Sequence, residues 1–168
     1  PTRGRRNVVV MTAPTPVHVP VLLNESLQLL DVREGGVYID CTTGLGGHSS
    51  AIAGRMGETG RLLCLDQDRE APEFARAKLA PFGRRVSFVH ANFRELADVA
   101  KREGFQAADG ILMDLGISSF QIGEARRGFA FALEGPLDMR MDPGSGGITA
   151  EEIVNTWDET SLADLFFE

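Results

Sequence analysis

Cysteine is scarce in this chain, with Cys41 and Cys64 the only two in 168 residues. Two thiols cannot build the framework that holds a small secreted domain together, so a reducing cytoplasm is the expected setting. Long apolar runs are missing as well. No stretch approaches the ~20 consecutive apolar residues of a membrane span. The run Val8-Val9-Val10-Met11, after Arg3, Arg5 and Arg6, is too short for a signal-peptide core. The three histidines, His18, His48 and His90, show no metal-ligand spacing with either cysteine, so zinc is not expected. No internal repeat or low-complexity tract is visible, which excludes a solenoid. Positive charge is also short. The net charge is −7. Residues 134–168 hold nine acidic residues and one basic, Arg140, a net −8 that leaves +1 for residues 1–133. That balance argues against gripping nucleic acid by charge alone, but not against an enzyme that docks locally.

What is present fits an ordered domain: 43% hydrophobic and 24% charged residues, close to globular averages. Residues 1–17 read as a flexible tail rich in Arg, Pro and Thr. The chain begins with Pro, and Met11 is a candidate start. Leu22, Leu23, Leu27 and Leu30 fit one helical face, with Gly35-Gly36 as the stop. Apolar runs at 37–41, 61–66, 84–90 and 109–115 then read as strands. Helical patterns at 48–55, 71–79 and 94–102 separate them. Strands alternating with such helices predict a parallel sheet with right-handed crossovers. Residues 116–147 are glycine-rich and aperiodic. Their Phe120, Phe129, Phe131, Leu133, Leu137, Met139 and Met141 are expected to be buried in a structured loop region. Thr149-Ala-Glu-Glu152 reads as a capping box opening a helical unit, with Trp157, Phe166 and Phe167 in its core.

Four places carry chemistry. After the first strand, Asp40-Cys-Thr-Thr-Gly44-Leu-Gly46-Gly47-His48 is a turn whose glycines permit tight bending and close backbone approach. The helix that follows offers N–H groups to an anion. A dinucleotide fingerprint needs a third glycine where Ser49 stands. An acidic strand end with Gly-x-Gly suits S-adenosylmethionine (SAM) better. An ordinary strand-to-helix turn is the bland alternative. Asp66, ending the second strand, is placed to accept ribose hydroxyls, with Asp68 better suited to cap the next helix and leave Asp66 free. Phe93, past the third strand, can lie against an adenine face or serve as core. Asp114 ends the fourth strand, at the switch point of a 3-2-1-4 sheet, where ligands bind; an Asx-turn is its bland reading. His48 is expected to contribute a backbone N–H rather than its ring. Arg126-Arg127 reads as a solvated pair. Cys41 and Cys64 read as buried thiols on neighbouring strands.

Taken together, His18-Val-Pro-Val-Leu-Leu23, Tyr38-Ile-Asp-Cys-Thr-Thr-Gly-Leu-Gly-Gly-His-Ser49, Asp66-Gln-Asp68, Asp109-Gly-Ile-Leu-Met-Asp-Leu-Gly-Ile-Ser-Ser119, Arg127-Gly-Phe-Ala-Phe131 and Gly135-Pro-Leu-Asp-Met-Arg-Met-Asp142 resemble the bacterial 16S ribosomal RNA cytosine-N4 methyltransferases, the RsmH (MraW) family. The resemblance runs from about His18 to the end. It implies an α/β fold of the class I SAM-dependent methyltransferase type: Rossmann-like, a doubly wound parallel sheet. Here it would show its first four strands and the start of an inserted helical domain. Residues 18–147 would be the SAM-binding methyltransferase domain and 148–168 the beginning of the insert. The family's cofactor contacts fall on Gly46, Gly47, His48, Asp66, Phe93, Asp114 and Gln121. The implied reaction is SAM-dependent methylation of the N4 amine of a cytosine in the decoding centre, on the small ribosomal subunit, with Asp114 the candidate catalytic residue.

One departure concerns mechanism. Many amino-methyltransferases carry an Asp/Asn-Pro-Pro-aromatic run after strand four, whereas this chain has Asp114-Leu-Gly-Ile117. No proline-fixed aromatic is offered to the base. Two other readings stand beside the enzyme: a non-catalytic SAM-binding or RNA-associated module, and an NAD-binding oxidoreductase. The apolar fourth strand lacks the lysine, proline or inward charge that protects an edge. The natural polypeptide is therefore expected to be longer, and a homodimer or other self-association through strand four or the exposed helices is expected of the fragment alone.

Overall fold

Each strand of the sheet is apolar on both sides, and that decides the layering. The computed structural model describes residues 20–167; the expected tail and His18 lie outside the described residues. The elements are α1 (Leu23–Leu29), β1 (Val37–Asp40), α2 (Gly47–Arg55), β2 (Arg61–Asp66), α3 (Ala71–Leu79), β3 (Val86–His90), α4 (Leu96–Arg102), β4 (Gly110–Leu112), α5 (Ser119–Gly123), α6 (Ala150–Thr156) and α7 (Glu159–Phe167). The four strands form one parallel sheet in the order β3-β2-β1-β4. Tyr38, Leu62 and Cys64 face α1, α2 and α3, joining Leu27, Ile52, Met56 and Leu79 in one core. Ile39, Cys41, Leu63 and Leu65 face the other way and pack on Val99, Ala100 and Phe105. Alternate residues thus fill two separate cores, as a sheet covered on both faces requires.

Several boundaries differ from the pattern-based expectation. Helix α1 stops at Leu29, not at Gly35-Gly36. Asp31 takes a left-handed φ of 49°. Its N–H donates to Gln28 O and that of Val32 to Leu27 O, the paired bonds of a Schellman ending. The Tyr38 hydroxyl locks this turn, accepting from Arg33 N at 2.9 Å and donating to Asp31 O at 3.1 Å. Leu22 precedes the helix and is exposed, so it does not share the buried face of Leu27. Strand β4 spans three residues rather than seven. Past Leu112 the Thr42 hydroxyl captures the Asp114 N–H at 2.8 Å, which pulls the chain off the ladder toward the β1 loop. Ile111, Met113 and Leu115 are left exposed along that edge.

Apolar burial in 116–147 is not as expected. Phe131, Leu133, Leu137 and Met139 are exposed, and Phe120, Phe129 and Met141 are only partly covered. The residues buried there are Gln121, Arg127 and Asp142. This segment is held to the sheet by charge and hydrogen bonds rather than by an apolar core. Thr149 caps α6, accepting the Glu152 N–H at 3.1 Å. Trp157, Phe166 and Phe167 are nevertheless exposed, not core.

Candidate functional site

The carboxyl ends of the strands open into a cavity of about 850 Å³, within the range of small-ligand sites. Its lining comes from the loop after β1, the ends of β2 and β3, and the segment after β4. Of the seven expected contact residues, Gly47, His48, Asp66, Phe93, Asp114 and Gln121 line it together; Gly46 does not. Gly46 adopts φ 75°, and a Cβ there would meet Ala75 of α3 at 2.8 Å. Its glycine is needed for helix packing and a left-handed turn. A Cβ on Gly47 would collide with Pro20, which itself lines the cavity.

Asp40 builds the loop from below. It is fully buried. One oxygen accepts the Ser49 hydroxyl at 2.6 Å, the other the Thr42 N–H at 3.1 Å. Burial pushes its carboxyl above the ordinary range, against the pull of those bonds. Ser49, in the third-glycine place, is therefore a buried partner of Asp40 rather than a point of close backbone packing. Thr43 ties the loop to β2, its N–H and hydroxyl both donating to Leu65 O at 3.0 Å.

Asp66 is less free than expected. It accepts the Gly44 N–H at 2.6 Å and the Asp68 N–H at 2.8 Å, one on each oxygen. Burial raises its pKa despite these bonds. Each oxygen keeps a further lone pair for an incoming hydroxyl. Asp68 is not a simple helix cap. Its Oδ1 accepts the Glu70 N–H at 2.9 Å, and its buried Oδ2 accepts from Gln121 Nε2 at 2.9 Å and Arg127 at 2.7 Å.

Of the Arg126-Arg127 pair only Arg126 is exposed as expected; Arg127 is not. The Arg127 side chain is wholly buried and also donates to the carbonyls of Arg140 and Met141. Arg126 makes two bonds to the Glu70 carboxylate, at 2.8 and 2.5 Å. Arg69, between the two acids, approaches the buried Asp142 at 3.3 Å. The turn 68–70 thus meets three charges of the 126–142 segment with three opposite charges. Residue types alone did not reveal this alternation. Gln121 carries a legible signal: Ser118-x-x-Gln121 is a capping-box spacing. The box forms, with Ser118 Oγ accepting from Gln121 N and Gln121 Oε1 accepting from Ser118 N.

Phe93 opens a single 3-10 turn capped by Asn92 and leaves part of its ring open to the cavity. Asp114 stands half exposed on the opposite, β4 side, 3.8 Å from His48 Nδ1. The His48 ring is engaged rather than idle: Nε2 lies 3.0 Å from Val21 O. Cys41 and Cys64 are buried and unbridged, and burial pushes their thiols to about 11 and about 12. Among the described residues, no cluster of His, Cys, Asp or Glu can hold a metal ion, and no helix is long and apolar enough to cross a membrane.

Residues 15–168 match the model of the MraW methylase family. The chain is 51% identical over 151 residues to ribosomal RNA small subunit methyltransferase H of Symbiobacterium thermophilum, covering 90% of this chain and 47% of that protein. The protein of the same name from Syntrophobacter fumaroxidans is 51% identical over 150 residues, covering 89% and 47%. The chain spans about half the length of the curated relatives it matches. Among solved structures, NSun6 from Pyrococcus horikoshii superposes with a TM-score of 0.48 at 23% identity, over 57% of this chain and 24% of that one.

Proposed function

This chain belongs to the MraW methylase family, and on that premise we propose that it supplies the SAM-binding part of an enzyme that methylates the N4 amine of a cytosine in the decoding centre of 16S ribosomal RNA. The substrate is the RNA within the small ribosomal subunit, and the setting is the cytoplasm. Residues 18–147 form the methyltransferase domain, and α6 and α7, within 148–168, begin an inserted helical domain.

The observation that carries this reading is the cavity at the switch point, between β1 and β4, with Asp66 and Asp114 on opposite walls. The residues present fit SAM. The first turn of α2 leaves N–H groups of Gly47 and His48 for its carboxylate. Asp66 has lone pairs for the ribose hydroxyls. The open face of Phe93 suits the adenine. Gln121, whose Nε2 donates to Asp68 and Met141 and whose Oε1 accepts from Ser118, lines the wall with one oxygen lone pair left for the ligand.

The sulfonium of SAM supplies an activated methyl group. A cytosine amine is a poor nucleophile because its lone pair is delocalised into the ring. The protein's part is to place that amine in line and accept its hydrogen bonds. Asp114, half exposed in the cavity, is the acceptor assigned to it.

Calorimetric titration of SAM and of NADH into the natural polypeptide tests the reading. SAM binding without NADH binding is expected; NADH binding without SAM binding contradicts it and favours the oxidoreductase. SAM binding with no methyl transfer to small-subunit RNA favours a non-catalytic module. Sedimentation of the 168-residue chain tests the expected self-association.

A further inference from the structure

His48 sits in the first turn of α2 with its ring nearly out of solvent. Its Nε2 lies 3.0 Å from the Val21 carbonyl oxygen. A carbonyl oxygen only accepts, so Nε2 carries a hydrogen and donates it. In the neutral ring, Nδ1 then holds a lone pair. That nitrogen faces Asp114 Oδ2 at 3.8 Å, beyond a direct hydrogen bond. An ionised carboxylate is also an acceptor only. Among the described residues, Asp114 is held by its backbone N–H to Thr42 Oγ1, and its carboxylate takes no hydrogen bond. Two acceptors therefore flank a gap on the cavity wall, and the gap calls for a donor.

We propose that His48 Nδ1 and Asp114 Oδ2 form a two-acceptor clamp for a primary amine, and that His48 takes the proton the amine loses on methylation; this rests on the methyltransferase reading. A nitrogen ~2.9 Å from both acceptors sees them roughly 80° apart, so each N–H points about 20° off its acceptor and the angle at hydrogen is about 150°, within tolerance. An exocyclic amine such as that of cytosine fills both acceptors with its two hydrogens. A keto oxygen at the same place, as in uracil, adds a third acceptor and is repelled. The methylated product keeps a single N–H and leaves one acceptor unmet, which opposes a second methylation.

The step balances. The amine lone pair forms the N–C bond while the C–S bond of the sulfonium donor breaks, and its electron pair stays on sulfur as a neutral thioether. The nitrogen then sheds its proton to Nδ1. The charged groups facing the imidazolium are Asp114 across the gap and Asp40 beneath the loop. Asp114, with its side chain 53% exposed, returns the proton to water.

The test uses the natural polypeptide and its His48→Gln variant. The Gln amide can still donate to the Val21 carbonyl but offers no base in the place of Nδ1. SAM affinity by calorimetry is expected within about threefold of wild type, while single-turnover methyl transfer to undermethylated small subunits slows by about 100-fold or more. Nitrogen-15 spectra of the unliganded wild type, recorded at a pH where the ring is deprotonated, are expected to show its hydrogen on Nε2. Three results overturn the clamp: transfer in the variant within about threefold of wild type, parallel loss of SAM affinity and transfer, or hydrogen on Nδ1 of the neutral ring. A wild type that binds no SAM and transfers no methyl overturns the methyltransferase reading itself, and the clamp with it.

Discussion

Arg127 and Asp68 lie 59 residues apart in sequence, and the guanidinium meets the carboxylate at 2.7 Å with both side chains out of solvent. This pair fastens the segment after β4 to the turn that follows Asp66, so the two walls of the cavity share one ionic joint. Such a pair adds little over a well-packed apolar replacement, but losing one partner strands a buried charge. Asp68→Ala or Arg127→Met alone should destabilise the protein by about 3–5 kcal/mol in urea unfolding. The Asp68→Leu/Arg127→Met double variant should recover much of that loss. Additive losses in the double variant would contradict a coupled pair.

Acid titration separates two buried carboxylates of opposite sign. Burial alone would raise Asp68, but the Glu70 N–H, Arg127 and Gln121 outweigh it and hold it below 3.8. The unfolded state then takes the proton first on acidification. The stability from Asp68 is present above 3.8 and lost as pH falls through its native value. Asp40 is raised by burial, so its contribution is present below 3.8 and lost as pH rises through its native value. Urea unfolding across the acid range should show Asp68→Asn flattening the loss below 3.8, and Asp40→Asn removing part of the decline above it. Variant curves parallel to wild type would contradict both assignments.

The strands were legible because their residues are apolar on both faces and glycine-marked turns separate them. The parallel sheet followed from that alternation, and the order assumed for it, 3-2-1-4, is the order observed. Site residues at strand ends, Asp66 and Asp114, were legible for the same reason: a topology rule places them. What was not legible depended on partners distant in sequence. Arg127 beside Arg126 carries no sign that one side chain is buried on Asp68. Gly46 and Gly47 looked alike, yet only the neighbours Ala75 and Pro20 show why each must be glycine. The aromatic and aliphatic residues of 116–142 looked like core, but that segment is secured to the 68–70 turn by ion pairs and leaves many of them exposed.

Gly46→Ala should therefore act on stability first. It forces a Cβ into a left-handed turn and against Ala75 at 2.8 Å, at a cost of about 1–3 kcal/mol. Thermal unfolding measures this. Unchanged stability with lost SAM affinity would return Gly46 to the ligand.

Asp114→Asn separates the two roles expected of this carboxylate: as the acceptor of the amine, its loss should slow methyl transfer by about 100-fold while SAM affinity stays within about threefold. Calorimetry beside single-turnover kinetics reads the split. Equal losses in both would make Asp114 a cofactor residue only.

The central claim is that this fold serves methyl transfer to a cytosine amine of small-subunit RNA. Its most direct test gives the natural polypeptide labelled SAM and undermethylated small subunits, followed by digestion of the RNA to nucleosides. The account predicts label in N4-methylcytidine from the decoding centre, and none in other nucleosides. Label in another nucleoside, or none in RNA from a protein shown to bind SAM, would contradict it.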